Sequence, residues 1–429
     1  MYDLLLRGGT ILDGTGQPGS RAEVALAGDK IAAVAAPGVI AEAARVLDVT
    51  GLYVAPGFID VHAHHDVAVL ETPQMDAPLR QGVTLQVNGQ CGQSLFPLRV
   101  EQREAVMKAL PVFGTDSRRG WEHIETYLQE VREAQPAINV ASFVGHGTLR
   151  AAVSGFEPRA LTEEELRRLE EATAEALQGG AAGISCGLMY PPGTWATTEE
   201  LIRIGRQVAK AGRLMAFHIR GEDERLEGAI AEALEVGEKS GVRVEISHLK
   251  ASGQASWGKM PRALELIERA AERGVQVGFD CYPYTAGSTY LSAYLPEWMQ
   301  EGGWIATEER LRDAETRQRL REELATVKSG VHYRRMRISA VATPENQKLL
   351  GKYVAEAAAE AGADLTDFLA ELLLTENNAV MIIHFSMCEE DMELALAHPL
   401  GVIGTDSLAA SGPGQTPHPR CYGSFPRVL

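Results

Sequence analysis

The sequence predicts an α/β fold: a TIM (β/α)8-type barrel preceded by a small β domain, with an insertion late in the barrel. Three observations predict it. Nine apolar, strand-like runs between residues 58 and 404 alternate with charged stretches of helical periodicity. The first fifty-five residues read instead as short strands broken by glycines. Histidine, cysteine and aspartate stand at or just beyond the ends of several runs, the side on which barrel enzymes carry their sites.

The small β domain, residues 1–55, has strand-like runs at 3–6, 23–26, 30–34 and 45–49, punctuated by Gly14, Gly16 and Gly28. The barrel domain is expected over 56–429, with strands at 58–61, 83–87, 139–144, 183–185, 214–217, 242–247, 275–280, 380–383 and 401–404. Helical stretches such as 161–178, 198–211 and 261–273 lie between them. Nine strands is one more than the barrel needs. The tight alternation is lost over about 285–378, a stretch with Trp298 and Trp304 near its start, and the insertion is expected there. The surplus strand is expected to belong to it.

A chain of 429 residues, 45% of them hydrophobic, can bury a large core. Its 41 Lys and Arg against 58 Asp and Glu give a net charge of −17, a poor match to a polyphosphate backbone or an anionic membrane. The first residues lack a basic start followed by an apolar stretch, and no run of about 18 apolar residues occurs. A cytoplasmic protein with neither nucleic acid nor membrane as partner is expected. Its five cysteines, odd in number and far apart, do not make an extracellular disulfide framework.

The strongest local signal is APGFIDVHAHHD, where an apolar strand ends in His62 and His64. Alternate side chains of a strand share a face, so the two imidazoles project together, as metal ligands require. His218 in LMAFHIR and His248 in VEISHLK end consecutive strands, and neighbouring strands bring such positions together. A lone histidine at either position would more often be a buried, hydrogen-bonded one. Cys91 follows the second strand between Gly89 and Gly92, whose freedom allows a tight turn that exposes the sulfur. Asp406 ends the last strand in VIGTDS; it can ligate metal and take a proton from water, or simply cap a helix.

Taken in order, LLLRGGTILDGTG, APGFIDVHAHHD, NGQCGQS, VGHGTLR, GLMYPPG, HIRGE, ISHLKASG, DCYPYTA, GTDS and TPHPRCYG resemble the N-acyl-D-amino-acid deacylases, or D-aminoacylases, of the amidohydrolase superfamily. The resemblance runs the length of the chain. It implies zinc, held tightly by Cys91, His218 and His248, with a second, weaker site at His62, His64 and Asp406. Asp406 would be the general base, accepting a proton from the attacking water and returning it to the leaving amine. Lys250, Tyr282 and Arg420 would bind the substrate α-carboxylate, and two cations with a phenol suit that group. Tyr190 and, less directly, His146 would line the pocket. The D preference comes only from the resemblance.

Hydantoinase-type relatives bridge two metals with a carboxylated lysine near the fourth strand, and residues 182–190 hold no lysine. A cyclic-amide hydrolase is therefore the second reading, and a non-catalytic scaffold on the same fold the third. No lysine or arginine occurs between Tyr282 and Thr307, which favours a neutral substrate side chain, with Leu291, Tyr294, Leu295 and Trp298 offering an apolar wall. The family normally continues beyond the strand of Asp406 through a last helix and returning strands of the small domain. The sequence ends at Leu429, so that C-terminal part of the family fold is expected to be absent.

Overall fold

The structure is a computed structural model that describes residues 1–110, 120–325, 333–408 and 415–429. It divides into two compact units, Met1–Phe58 and Ile59–Leu429.

The first unit is built on a four-stranded sheet in the order Lys30–Ala35, Glu23–Ala27, Tyr2–Arg7, Ala43–Asp48. Tyr2–Arg7 runs antiparallel to Glu23–Ala27 and parallel to Ala43–Asp48. Leu5, Ala25 and Ile40 form its buried centre. Glu23 is buried too, and accepts from Arg7 Nε at 2.8 Å, so the carboxylate is not left unpaired.

The second unit is dominated by parallel strands. Six lie side by side in the order Val144–Gly145, Gly183–Gly187, Leu214–His218, Arg243–Ile246, Val277–Cys281, Gly401–Ile403, each parallel to the next. Three more, Asn139–Ser142, Val83–Asn88 and Phe58–Asp60, form a second sheet. The ends of the first and last strands meet. Asp406 N donates to His62 O at 2.7 Å, and Ala63–His64 pairs in parallel with Ser407–Leu408.

Amphipathic helices supply the packing. Thr198–Lys210 buries Leu201, Ile202, Ile204 and Val208, spacings that return to one face at 3.6 residues per turn. Its N-cap Thr197 accepts from Glu200 N at 3.2 Å. Glu163–Gln178 begins with a reciprocal capping box between Thr162 and Glu165, as the sequence T-E-E-E specifies. No helix among the described residues is long and apolar enough to cross a membrane.

The run expected at 380–383 is not one of the parallel strands. It is Met381–Phe385, the centre of an antiparallel sheet between Ala286–Tyr290 and Met336–Ala340. An apolar run of this length fits a buried strand of either direction, so periodicity could not assign its partners. The helices Gly303–Arg312, Ala314–Leu324, Val354–Glu360 and Leu365–Thr375 accompany this sheet, with Trp304, Leu320, Ile338, Leu369 and Ile382 in one shared core. Leu291 and Leu295 are buried in that core, and Trp298 packs against it under Arg319. The expected apolar wall therefore keeps only Tyr294, because the other three side chains stabilise the insertion itself.

Candidate active site

Five strand ends deliver one or two functional groups each. His62 and His64 follow Phe58–Asp60, Cys91 follows Val83–Asn88, His218 is the last residue of Leu214–His218, and His248 and Asp406 lie just past Arg243–Ile246 and Gly401–Ile403. Cys91, His248 and Asp406 have φ of +54°, +38° and +50°, a left-handed backbone that side chains other than glycine rarely adopt. Such conformations persist where surrounding structure enforces them and gather at functional sites. The turn that carries Cys91 is packed so closely that a Cβ on Gly187 would lie 2.0 Å from Cys91 O.

The six groups converge. Ligand atoms of His62, His64, Cys91 and Asp406 lie within 4.8 Å of one another, as do those of Cys91, His218 and His248. Cys91 Sγ is 3.4 Å from both His62 Nε2 and His248 Nε2, so the sulfur belongs to both groups. Asp406 Oδ1 is 3.2 Å from His64 Nε2 and 3.5 Å from His62 Nε2. Neither ring nitrogen of buried His218, nor His64 Nδ1, has a hydrogen-bond partner among the described residues. Orphaned imidazole nitrogens beside a thiol and a carboxylate fit a divalent ion of zinc's type.

Electrostatics agree with that donor set. Burial would raise the Cys91 thiol, but His62 and His248 hold it well below its ordinary value, toward thiolate. Burial likewise opposes the Asp406 carboxylate, yet Arg420 and then His64 keep it well below the usual carboxylate range. His64 is raised to about 9: burial works against the cation, and the hydrogen bonds to Asp406 and Cys91 outweigh it.

A pocket opens beside the cluster, with His64, Cys91, His218, His248 and Asp406 on its wall. Lys250 and Tyr282 also line it. Lys250 Nζ donates to Glu222 Oε1 at 2.5 Å and lies 2.7 Å from His248 Nδ1. The Tyr282 hydroxyl is buried with no partner among the described residues, and burial pushes its phenol well above the usual value, so it stays a neutral donor. Tyr190 lines the pocket as well, 3.2 Å from Thr289 Oγ1 and with its ring 4.8 Å from that of His218.

Two expected residues sit elsewhere. Arg420 is not on the pocket wall; it is fully buried behind it, donating to Asp406 Oδ2 at 2.7 Å and to Ser288 O at 3.0 Å, with its guanidinium 4.8 Å from the Tyr282 ring. A buried guanidinium must be paired, and Asp406 is the anion within reach. His146 is also off the wall, bound through Nε2 to Glu200 Oε1 at 2.8 Å, a carboxylate that Arg150 shares.

Four residues with a part in the site escaped the sequence reading. Glu222 stands four residues after His218, paired with Lys250; burial opposes its charge, while Lys250, His218 and His248 hold it well below the usual carboxylate range. Asp280 lies 3.0 Å from His62 Nδ1. It stands one residue before the end of the strand Val277–Cys281, and a carboxylate closing an apolar run is a signal that could have found it. His384 and Tyr290 come from the insertion and line the pocket, His384 Nδ1 lying 2.8 Å from the Tyr294 hydroxyl. Nothing in their local sequence marks them.

A model of the amidohydrolase family matches residues 45–427. The chain belongs to the amidohydrolase family, in the branch of the D-aminoacylases. Along its whole length this amidohydrolase is 38% identical to the D-aminoacylase of Alcaligenes xylosoxydans xylosoxydans, of which the match covers 78%. It superimposes with a TM-score of 0.81 and 35% identity on a D-aminoacylase structure determined to define the role of that enzyme's binuclear metal centre, covering all of this chain and 80% of that one. A TM-score of 0.81 and 33% identity relate it to the N-acyl-D-glutamate deacylase of Bordetella bronchiseptica, solved with zinc and a phosphonate mimic of the tetrahedral intermediate; coverage there is 100% and 82%.

Proposed function

We propose that this amidohydrolase cleaves the amide bond of N-acyl-D-amino acids with neutral side chains, releasing a carboxylate and a free D-amino acid, and that it does so with zinc. The convergence of one cysteine, four histidines and one aspartate within 4.8 Å groupings beside a pocket carries the reading. The likeness to D-aminoacylase over the whole chain supports the substrate class and its hand. Cys91, His218 and His248 would hold the tightly bound ion, and His62, His64 and Asp406, with Cys91 shared, a second one. The parallel strands are read as one closed eight-stranded barrel, residues 56–429, following the small domain 1–55; the bonds joining Asp406 to His62 and Ser407–Leu408 to Ala63–His64 support closure.

Zinc, when bound, supplies Lewis acidity and a water of lowered pKa. The protein's own groups do the rest. Arg420 fixes Asp406 through Oδ2, which leaves Oδ1 on the His62–His64 side to accept the proton of the attacking water and return it to the leaving nitrogen. The free Tyr282 hydroxyl and the Lys250 ammonium bind the α-carboxylate, and Arg420 strengthens the positive field behind them. Met189, Tyr190, Tyr290 and Met381 offer the substrate an apolar face.

The test is hydrolysis of N-acetyl-D- and N-acetyl-L-amino acids with leucine, methionine and glutamate side chains by zinc-loaded protein. D-selective release on leucine and methionine is expected, with kcat falling about 10²–10⁴-fold in Asp406→Asn and zinc lost in Cys91→Ala. A folded, zinc-loaded protein that released nothing from either series would overturn the assignment.

A further inference from the structure

Asp280 lies in Val277–Cys281, between Arg243–Ile246 and Gly401–Ile403, and is 1% exposed. Its two carboxylate oxygens do different things. Oδ2 is 3.0 Å from His62 Nδ1, and Oδ1 accepts the backbone N–H of His248 at 2.9 Å. The Asp280 carbonyl takes the next amide, Leu249 N, at 2.8 Å. His62 and His248 belong to different groups of the cluster, one with His64 and Asp406, the other with His218, and only Cys91 is common to both.

Each contact has a definite consequence. A carboxylate accepts hydrogen bonds, so His62 carries its hydrogen on Nδ1 and turns Nε2 toward Cys91 Sγ, 3.4 Å away. His248 has a φ of +38°, and the bond from its N–H to Oδ1 is a local restraint on that unfavourable backbone. The fold keeps room for the arrangement. A Cβ on Gly404 would come within 2.6 Å of both Asp280 Oδ1 and His62 Cβ.

We propose that Asp280 is a positioning residue that braces both halves of the metal centre through one carboxylate, setting the ring of His62 with Oδ2 and the backbone of His248 with Oδ1. The inference rests on the reading that these groups hold zinc. The two bonds fall on different oxygens, so Asp280→Asn separates them. The amide keeps one oxygen for the His248 N–H and turns an NH2 toward His62 Nδ1, which favours the tautomer whose Nε2 is blocked by hydrogen.

Zinc titration of the full chain, with affinities read by calorimetry against a competing chelator, is the experiment. Wild type is expected to bind two ions with different affinities. In Asp280→Asn the weaker affinity is expected to fall about 10–100-fold, the range for losing an outer partner of a metal-ligating histidine, with the tighter affinity nearly unchanged. A variant that keeps both affinities, or loses both equally, overturns the brace while leaving the zinc reading intact. A wild type that binds no zinc overturns the zinc reading and the brace with it. Should the variant fail to fold, 15N NMR of histidine-labelled, zinc-loaded wild type decides: hydrogen on His62 Nδ1 is expected, and hydrogen on Nε2 overturns the proposal.

Discussion

Asp406 is gripped from two sides, by Arg420 on Oδ2 at 2.7 Å and by His64 near Oδ1 at 3.2 Å. Arg420→Met separates the consequences. It leaves a buried carboxylate without its strongest counter-charge, at a cost of about 3–5 kcal/mol, readable in chemical denaturation. It also raises the Asp406 carboxyl, since Arg420 is the first group holding it down. Activity should then begin to fail at a higher pH on the acid side, which a pH profile of kcat/KM shows directly. His64 yields a second pH prediction. Its pKa of about 9 means that zinc must displace a proton at neutral pH, so affinity for the ion in the group of His64 should climb with pH until about 9. Zinc titrations at two pH values, with proton release followed in buffers of different ionisation enthalpy, check it. Tyr282→Phe removes one neutral donor from the proposed carboxylate site; KM should rise about tenfold, the worth of roughly 1.4 kcal/mol, with kcat little changed.

Among the elements, the turn after Val83–Asn88 depends on contact with its neighbour strand. Gly187→Ala would drive a methyl into Cys91 O, 2.0 Å away, and neither backbone can yield cheaply. Zinc content should fall together with melting temperature in that variant, whereas Thr162→Ala, which removes a cap on a helix that carries none of the proposed zinc ligands, should cost about 1 kcal/mol and leave zinc content alone. The same scale shows what the sequence makes legible. Groups at the ends of parallel strands declare themselves, because an apolar run stops at a polar, metal-competent residue; His62, His64, His218, His248 and Asp406 all follow that rule. Cys91 is betrayed by its glycines. Met381–Phe385 offers no such signal, since its antiparallel pairing is decided by two distant segments, Ala286–Tyr290 and Met336–Ala340. The partner of Arg420 is equally silent: a motif can say that a cation is present, but burial decides whether it meets substrate or Asp406.

For the whole molecule, a buried histidine outside the cluster adds to the response to acid. His418, 3% exposed, accepts from Arg420 N at 3.0 Å, and burial followed by the charge of Arg420 lowers its pKa to about 3. Unfolded, the same ring titrates near its ordinary value of about 6.5. Below that value the unfolded chain binds a proton that the folded one refuses, so stability is full above about 6.5 and is lost progressively down to about 3. The loss from this ring should reach about 2 kcal/mol at pH 5. Denaturation of wild type and His418→Gln at pH 7 and pH 5 measures it, and the variant should show the shallower dependence.

The pocket has two kinds of wall. The cluster side belongs to the ends of parallel strands, while Tyr290, Tyr294, Met381 and His384 come from a segment that packs its helices and sheet around a core of its own. Substitutions at Tyr294 and His384 draw on the insertion's stability, whereas Tyr290 and Met381 share a packed cluster with Cys91 and couple to it. A lineage carrying this architecture can therefore change its diet by drift at Tyr294 and His384, while Tyr290 and Met381 stay tied to the bond-breaking apparatus through Cys91.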